Sequence, residues 1–151
     1  MTESVQLSTF LLDGLFFGVE VMRVQEVIRF QEMTRVPLAP RVVSGLINLR
    51  GQIVVAIDLR RRLELAERSA EALPSNVVVR TGDGVVSLLV DAIGDVVEVD
   101  AGAFERPPDT LAGVARELVR GAYKLPDRLL LVLDTERAVD LGEQARVATL
   151  G

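Results

Sequence analysis

Apolar residues in this chain fall into short runs that alternate with turns containing glycine or proline. The run 9–12 is followed by Asp13-Gly14 and then by a second apolar run, 15–21. Asp-Gly between two apolar runs is a strong indicator of a β-hairpin, because a type I′ turn needs positive φ at both central residues. The chain is therefore predicted to open with a hairpin.

A second hairpin is predicted over 45–60, where two apolar runs flank the tetrapeptide Asn48-Leu49-Arg50-Gly51. Gly51 lets the backbone turn at positive φ, and Arg50 lies at the turn, where its guanidinium can reach solvent or a partner. The second arm, 53–57, is apolar throughout, which predicts that both of its faces are covered.

Between these hairpins, Val24, Val27 and Ile28 have helical spacing. This spacing predicts a short helical turn that runs into a strand over 22–30. Single helical turns are also predicted at 41–45 and 59–65.

The second half of the chain begins after a polar, alanine-rich stretch, 66–75, which is the best candidate for an internal boundary. Two more hairpins, a short strand and a helix are predicted beyond it. The hairpins are predicted at 77–90, across Gly82-Asp83-Gly84, and at 118–133, across Pro126-Asp127-Arg128. Between them we expect a turn at 91–94, a strand at 96–99 and a loop at 102–116. The helix follows the second hairpin, is capped by Asp134 or Thr135 and runs through 139. This pattern fits two small barrels or one sandwich equally well.

Composition supports a β protein of modest size. The 151 residues are 49% hydrophobic but only 4% aromatic, so the core must consist mainly of Val, Leu, Ile and Ala. A chain of this length forms one domain or two small subdomains. Its net charge of −5 argues against a nucleic-acid binder, which needs a basic face to contact phosphates.

The residue types present argue against catalysis. There is no cysteine and no histidine, which excludes disulfides, Cys/His zinc sites and histidine acid–base chemistry. No Gly-x-Ser-x-Gly or Walker motif occurs. Aspartates lie beside predicted strands, where Asp commonly ends a strand and forms a turn; these are Asp58, Asp91, Asp95 and Asp134. We expect neither enzymatic activity nor a cofactor.

Two further features bear on location and partners. The N-terminus has no charged region followed by an apolar one, and no apolar run reaches about 18 residues, so we expect a cytoplasmic protein without membrane insertion. The consecutive arginines 60–62 are expected to form a solvated face, since so short a basic run with acidic neighbours usually does.

A series of motifs in chain order resembles the CheW family, the adaptor proteins of bacterial chemotaxis arrays. The segment 45–60 resembles the family's NLRG-x-IVPV-x-DLR signature. The other matching segments cover much of 8–140 and are FGVEV with VQEVI (17–28), TRVPLAP (34–40), VSLLVDAIGDV (86–96) and RLLLVLD (128–134).

The resemblance implies a mainly β fold of two five-stranded SH3-like barrels side by side, with a few short helices and a C-terminal helix. Residues 1–151 would form a single CheW-like domain with an internal boundary near 66–75. It also implies a non-catalytic, monomeric adaptor that couples the cytoplasmic tip of methyl-accepting chemoreceptors to the regulatory domain of a CheA-type histidine kinase.

Particular residues follow from the same resemblance. Those that it implies for receptor contact are apolar apart from one acid and one hydroxyl, and they are Val24, Glu26, Val27, Val77, Ser87, Ile93 and Val96. Core packing is the alternative role for the apolar ones. Arg50 is implied in both receptor and kinase coupling, either by direct contact or by bracing the hairpin.

The sequence departs from the family pattern at three positions. Val55 replaces a proline, Ser87 replaces a glycine, and Phe17 stands where tyrosine is usual. Ser87 leaves receptor specificity at that edge open.

The sequence also leaves other functions open. One alternative is a CheW-like adaptor of a non-flagellar pathway (twitching motility, surface sensing or development), and another is a fragment of a CheA or CheV protein. A different class, a small-barrel enzyme subunit or RNA binder, predicts a metal site or a basic groove.

Overall fold

The computed structural model describes residues 3–141 as a mainly β protein. Ten strands account for most of the regular structure. In chain order they are β1 (Ser4–Leu12), β2 (Leu15–Glu20), β3 (Val24–Ile28), β4 (Val43–Leu49), β5 (Gln52–Asp58), β6 (Ser75–Thr81), β7 (Gly84–Val90), β8 (Ala92–Asp100), β9 (Val119–Lys124) and β10 (Leu129–Leu133).

The strands form two five-stranded sheets that divide the chain unequally. The central sheet, in the order β3-β6-β7-β5-β4, uses one continuous part of the chain, 24–90. The terminal sheet, in the order β8-β1-β2-β10-β9, combines strands from both ends of the described chain. Each sheet contains one parallel pair, β5 with β7 in the central sheet and β2 with β10 in the terminal sheet.

The chain passes between the sheets at two short connections. One is the 3₁₀ turn Val21–Arg23, and the other is the bend at Asp91. The polar stretch 66–75 was predicted as an internal boundary, but the strands on either side of it, β5 and β6, belong to the same sheet. The predicted division of the chain therefore coincides with neither connection.

In the described part of the chain, three short α-helices lie between or after the strands: α1 (Leu59–Arg62), α2 (Gly113–Leu118) and α3 (Thr135–Val139). Carboxylates cap two of them. The Asp58 side chain accepts a hydrogen bond from the Arg60 amide at the start of α1, and Asp134 accepts one from the Arg137 amide at the start of α3. The predicted C-terminal helix and its cap at Asp134 are confirmed.

The turn chemistry predicted from sequence is confirmed in the first two hairpins. Asp13 and Gly14 between β1 and β2 have φ of 50° and 77°, and Arg50 and Gly51 between β4 and β5 have φ of 52° and 89°. Positive φ at both central residues is typical of a type I′ turn, which matches the twist of the flanking strands. The hairpins β6–β7 and β9–β10 are confirmed as well.

Several local predictions are wrong. The segment 41–45 is not a helical turn, since β4 begins at Val43 after a tight turn. The segment 91–94 is not a turn, because only Asp91 forms a bend and β8 already begins at Ala92. The loop predicted at 102–116 contains the start of α2, which lacks a side-chain N-cap and so gave no sequence signal.

Apolar side chains form three clusters, because many strands bury both faces. The inter-sheet cluster lies between the sheets and includes Phe10, Phe17, Val77, Leu88 and Leu131. The central-sheet cluster includes Ile47, Val54, Val78 and Leu89, and the terminal-sheet cluster includes Leu7, Phe16, Leu130 and Val132. Neighbouring residues of one strand thus point to different clusters, as the period of two in a strand requires. The expected burial of 53–57 on both faces is confirmed for most of that strand.

The barrel form of each half is not evident from the hydrogen bonding. Within residues 3–141, no hydrogen-bonded ladder joins the first and last strands of either sheet. The same range contains no helix that is long and apolar enough to span a membrane.

Candidate partner-binding surface

Strand β3 is an edge strand that contains a β-bulge. Val24 lies opposite Val79, and Glu26 lies opposite Val78, so one extra residue, Gln25, is inserted in β3. Because directly opposed residues of an antiparallel pair point to the same face, the bulge places Val24 and Val27 together on the inter-sheet side. The helical spacing seen in the sequence is thus produced by a bulged strand, and the predicted helical turn ends at Arg23.

Strand β8, the edge strand of the terminal sheet, contains an equivalent irregularity. Ser8 lies opposite Val96 and Phe10 lies opposite Ile93, so three steps along β8 match two along β1. Two side chains three residues apart would face opposite ways in a regular strand. The bulge at 94–95 instead puts Ile93 and Val96 on the same, inter-sheet side.

These four residues, Val24, Val27, Ile93 and Val96, are called the edge patch below. Val24 and Ile93 are half-buried and pack against the inter-sheet cluster from opposite sheets. Val27 and Val96 are 40% and 58% exposed. Strand β8 also contacts β6, the neighbour of β3. Val27 and Val96 are thus exposed apolar side chains on the edge strands of the two sheets.

Glu26 faces the other way, toward the central-sheet cluster, and forms an ion pair with Arg50. An Arg50 guanidinium nitrogen lies 2.9 Å from Glu26 Oε2. The Glu26 side chain is only 17% exposed, whereas the Arg50 side chain is 78% exposed. The second Glu26 oxygen, Oε1, is buried and has no hydrogen-bond partner among residues 3–141.

The structure supports one of the two roles that the sequence left open for Arg50, that of bracing the hairpin. Its ion pair joins the β4–β5 turn to β3, and the Asn48 side chain fixes the same turn by accepting a 2.8 Å hydrogen bond from the Gly51 amide. A guanidinium has five N–H donors in a planar fork. Most of this one remains exposed, so Arg50 can brace the hairpin and still offer donors to a partner.

Val77 and Ser87 are wrong as predicted contact residues, because both are completely buried. Val77 packs in the inter-sheet cluster. The Ser87 hydroxyl donates a 2.8 Å hydrogen bond to Asn76 Oδ1, and Asn76 in turn donates to the Arg29 carbonyl. The Ser87 departure from the family pattern is therefore accommodated inside the central sheet.

The acidic side chains considered for catalysis mainly have structural contacts. Asp58 and Asp134 cap helices, and Asp91 pairs with Arg60 and Arg68. Partial burial raises the pKa of the Asp91 carboxyl, but hydrogen bonds from Arg60 and the Asp13 amide outweigh it and leave that pKa below its ordinary value. Among residues 3–141, no group of three or more acidic side chains is arranged to hold a metal ion.

The prediction that arginines 60–62 form a solvated face is wrong. Arg60 binds Asp91, Arg61 pairs with Glu67, and Arg62 donates to backbone carbonyls at the end of α3. All three are partly buried. Sequence reasoning missed these roles because two of the partners, Asp91 and α3, lie more than thirty residues away in the chain.

Met22 is an exposed apolar residue, two positions before Val24, that the sequence pattern does not single out. Met22, in the 3₁₀ turn directly before β3, is 78% exposed. Its only sequence signal is an unbranched apolar side chain next to charged Arg23. Because methionine adapts its shape to irregular surfaces, Met22 is suited to extend the edge patch.

Comparison with known proteins gives consistent results. The family model described as CheW-like domain matches residues 6–143. The chain is 30% identical to chemotaxis protein CheW of Treponema pallidum, a match that covers 98% of this chain and 89% of that protein. It is also 30% identical to chemotaxis protein CheW of Klebsiella aerogenes, with coverage of 91% and 83%. The crystal structure of scaffolding protein TtCheW from Thermoanaerobacter tengcongensis is similar, with a TM-score of 0.83, 25% identity, and coverage of 93% of this chain and 95% of that one.

Proposed function

This chain belongs to the CheW-like domain family, and we propose that it is a non-catalytic cytoplasmic adaptor of bacterial chemotaxis. In this proposal it holds the cytoplasmic tip of a methyl-accepting chemoreceptor next to the regulatory domain of a CheA-type histidine kinase. Relatives named chemotaxis protein CheW and the similarity to a scaffolding protein support this function.

The observation that carries the proposal is the edge patch together with the Glu26–Arg50 pair on the other face of β3. The patch offers apolar side chains from two sheets, and Arg50 is an exposed cation. A receptor tip built from helices can lay an apolar face on such a patch, and the guanidinium can bind a polar group of a partner.

We assign receptor contact to the edge patch together with Glu26 and Arg50. Arg50 also remains the proposed kinase contact, because its exposed donors can bind a carboxylate or backbone carbonyl of either partner. Coupling then requires only that the two partners bind the same rigid unit, so no covalent step is needed.

We further propose that each five-stranded sheet works as a small SH3-like barrel and that residues 1–151 act as one domain. The support is that each sheet has its own apolar cluster, while the inter-sheet cluster joins them. Open sheet edges in such a protein are suitable for weak contacts between similar domains, and the free protein is proposed to be a monomer.

Binding measurements test the proposal directly. The full chain is titrated with a receptor cytoplasmic fragment and, separately, with a CheA-type regulatory domain. Val27→Ser and Val96→Ser are each expected to weaken receptor binding about tenfold, since each loses a buried apolar contact worth about 1.4 kcal/mol. Leu73→Ser is the matched control, because Leu73 is also an exposed apolar residue but lies in the 66–75 connection.

Arg50→Ala is measured alongside with thermal unfolding. Arg50→Ala leaves the largely buried Glu26 carboxylate without its charged partner, so it should lower the free energy of unfolding by about 1–2 kcal/mol. A folded Arg50→Ala variant that binds both partners like the wild type would remove Arg50 from the proposed interface. Wild-type protein that binds neither partner at concentrations up to about 100 μM would overturn the adaptor function, since array contacts are expected to be small and transient.

A further inference from the structure

The edge patch depends on the bulge in β8, and the bulge is held by a residue outside the patch. Thr9 lies in β1 directly across from the two bulged residues, Gly94 and Asp95. Its side chain is almost completely buried, and its hydroxyl donates a 2.5 Å hydrogen bond to the Asp95 carbonyl. A bulge disrupts the regular ladder, so a side-chain donor here replaces a backbone hydrogen bond.

Gly94 is matched to Thr9 at the same place. A Cβ atom on Gly94 would lie 2.5 Å from the Thr9 hydroxyl oxygen, closer than unbonded atoms approach. The hydroxyl therefore occupies the space that a side chain at 94 would need. The Thr9 hydroxyl and the absence of a side chain at Gly94 thus both favour a bulge at residues 94–95 of β8.

We propose that Thr9 is a positioning residue for partner binding, which fixes the β8 bulge and thereby keeps Ile93 and Val96 on one face. A strand without the bulge would turn one of these two apolar side chains away from the inter-sheet side. The inference rests on the proposed function, because it takes the edge patch as the receptor contact.

The test begins with the side chain at 9. Thr9→Val keeps the branched shape and removes the hydroxyl, whereas Thr9→Ser keeps the hydroxyl. We expect Thr9→Val to weaken binding of the receptor fragment about five- to tenfold, the effect of losing one buried hydrogen bond that holds the contact strand. Thr9→Ser should restore most of that affinity, and binding of the kinase regulatory domain should not change in either variant.

A second variant approaches the same bulge from the other strand. Gly94→Ala is expected to displace the Thr9 hydroxyl and to reduce receptor affinity as Thr9→Val does. Because both changes break one interaction, the double variant Thr9→Val/Gly94→Ala should bind no more weakly than the weaker of the two single variants. If the losses in receptor binding free energy of the two single variants add up in the double variant, the two substitutions do not act on the same interaction.

A labelling experiment keeps the inference testable without a receptor. The chain contains no cysteine, so Val96→Cys and Val97→Cys each introduce a single thiol. Val96 is exposed and Val97 is half-buried on the opposite face. In the Thr9→Val background, maleimide labelling should slow for the thiol at position 96 and quicken for the thiol at position 97. In the Thr9→Ser background, both labelling rates should match those in the wild-type background.

The outcomes separate the two proposals. If wild-type protein does not bind the receptor fragment but the labelling rates shift as described, the proposed function fails and the role of Thr9 in fixing the bulge stands. If wild type binds the receptor fragment and Thr9→Val binds equally well, or if Thr9→Ser fails as Thr9→Val does, Thr9 is not a positioning residue. Unchanged labelling rates would likewise overturn the inference.

Discussion

The guanidinium of Arg60 donates two hydrogen bonds to the carboxylate of Asp91, 2.9 Å and 2.5 Å long. Asp91 is the bend at which the chain leaves the central sheet for the terminal sheet. The same carboxylate accepts a 2.8 Å hydrogen bond from the Asp13 amide in the β1–β2 turn. One carboxylate thus connects α1, the bend between the sheets and a hairpin of the terminal sheet.

Asp91→Asn should therefore lower the free energy of unfolding at pH 7 by about 2 kcal/mol, because the partly buried Arg60 guanidinium loses its nearest charged partner and keeps the more distant Asp13 carboxylate. Chemical denaturation measures this change. Asp127→Asn, at an exposed position in the β9–β10 turn, is the control and should leave stability nearly unchanged. Equal stability of the wild type and Asp91→Asn would show that the pair contributes nothing.

The same pair predicts a pH dependence. The pKa of Asp91 is lowered in the folded protein, so the carboxylate contributes stability above its unfolded pKa of about 4 and loses it as the pH falls toward the folded pKa. The difference in unfolding free energy between the wild type and Asp91→Asn should be constant above about pH 5 and shrink below about pH 4. Denaturation curves recorded across this pH range measure the difference. A difference that grows as the pH falls would contradict a lowered pKa of Asp91 in the folded protein.

Ser87→Ala should reduce stability without affecting partner binding. Its hydroxyl is buried and donates to Asn76 Oδ1, so removing it leaves a buried acceptor with one partner fewer, at a cost of about 1–2 kcal/mol. Thermal unfolding and receptor titration are measured together, with Val96→Ser as the comparison. A loss of receptor affinity in a fully folded Ser87→Ala variant would return Ser87 to the contact surface.

Gly45→Ala should be more harmful than most glycine substitutions in this chain. A Cβ at 45 would lie 2.6 Å from the Thr34 carbonyl oxygen, which already accepts a hydrogen bond from the Leu46 amide. Since backbone atoms must move, we expect a loss of about 2 kcal/mol in unfolding free energy, measured by chemical denaturation. Gly82→Ala, whose Cβ would only touch the Glu136 side chain at 3.7 Å, is the control.

Arg62→Ala should loosen the end of α3. The Arg62 guanidinium donates to the carbonyls of Ala138 and Arg137, 2.8 Å and 2.9 Å away, at the end of α3, where the Arg137 carbonyl also accepts a hydrogen bond from the Asp140 amide. We expect faster amide hydrogen exchange in 135–141 and a loss of about 1–2 kcal/mol in stability. Arg106→Ala, at an exposed loop position, should change neither quantity. Unaltered exchange in Arg62→Ala would show that α3 is held by its apolar contacts alone.

The hairpins could be predicted from sequence because their signals are local. The positive φ values of Asp13, Gly14 and Gly51 are visible in the residue types themselves, whereas that of Arg50 is not. Resemblance to a family then gave the fold class and the importance of Arg50, neither of which the turn chemistry alone specifies.

The edge patch could be predicted only in part. The spacing of Val24 and Val27 was interpreted as helical because a period near three is the helix signal, and the bulge that produces it depends on the pairing with β6. Val77 and Ser87 lie on strands covered on both faces, and coverage by distant strands cannot be read from neighbouring residues. The role of Thr9 toward Asp95 joins residues 86 positions apart.

The unequal division of the chain between the two sheets also sets an order of events during synthesis. Strands β3 to β7 emerge from the ribosome consecutively, so the central sheet can assemble while the C-terminal third is still being made. The terminal sheet must wait, because β2 pairs in parallel with β10, more than a hundred residues later. Until then the β1–β2 hairpin lacks its partner β10, so nascent chains halted before residue 129 should be the ones that need a chaperone.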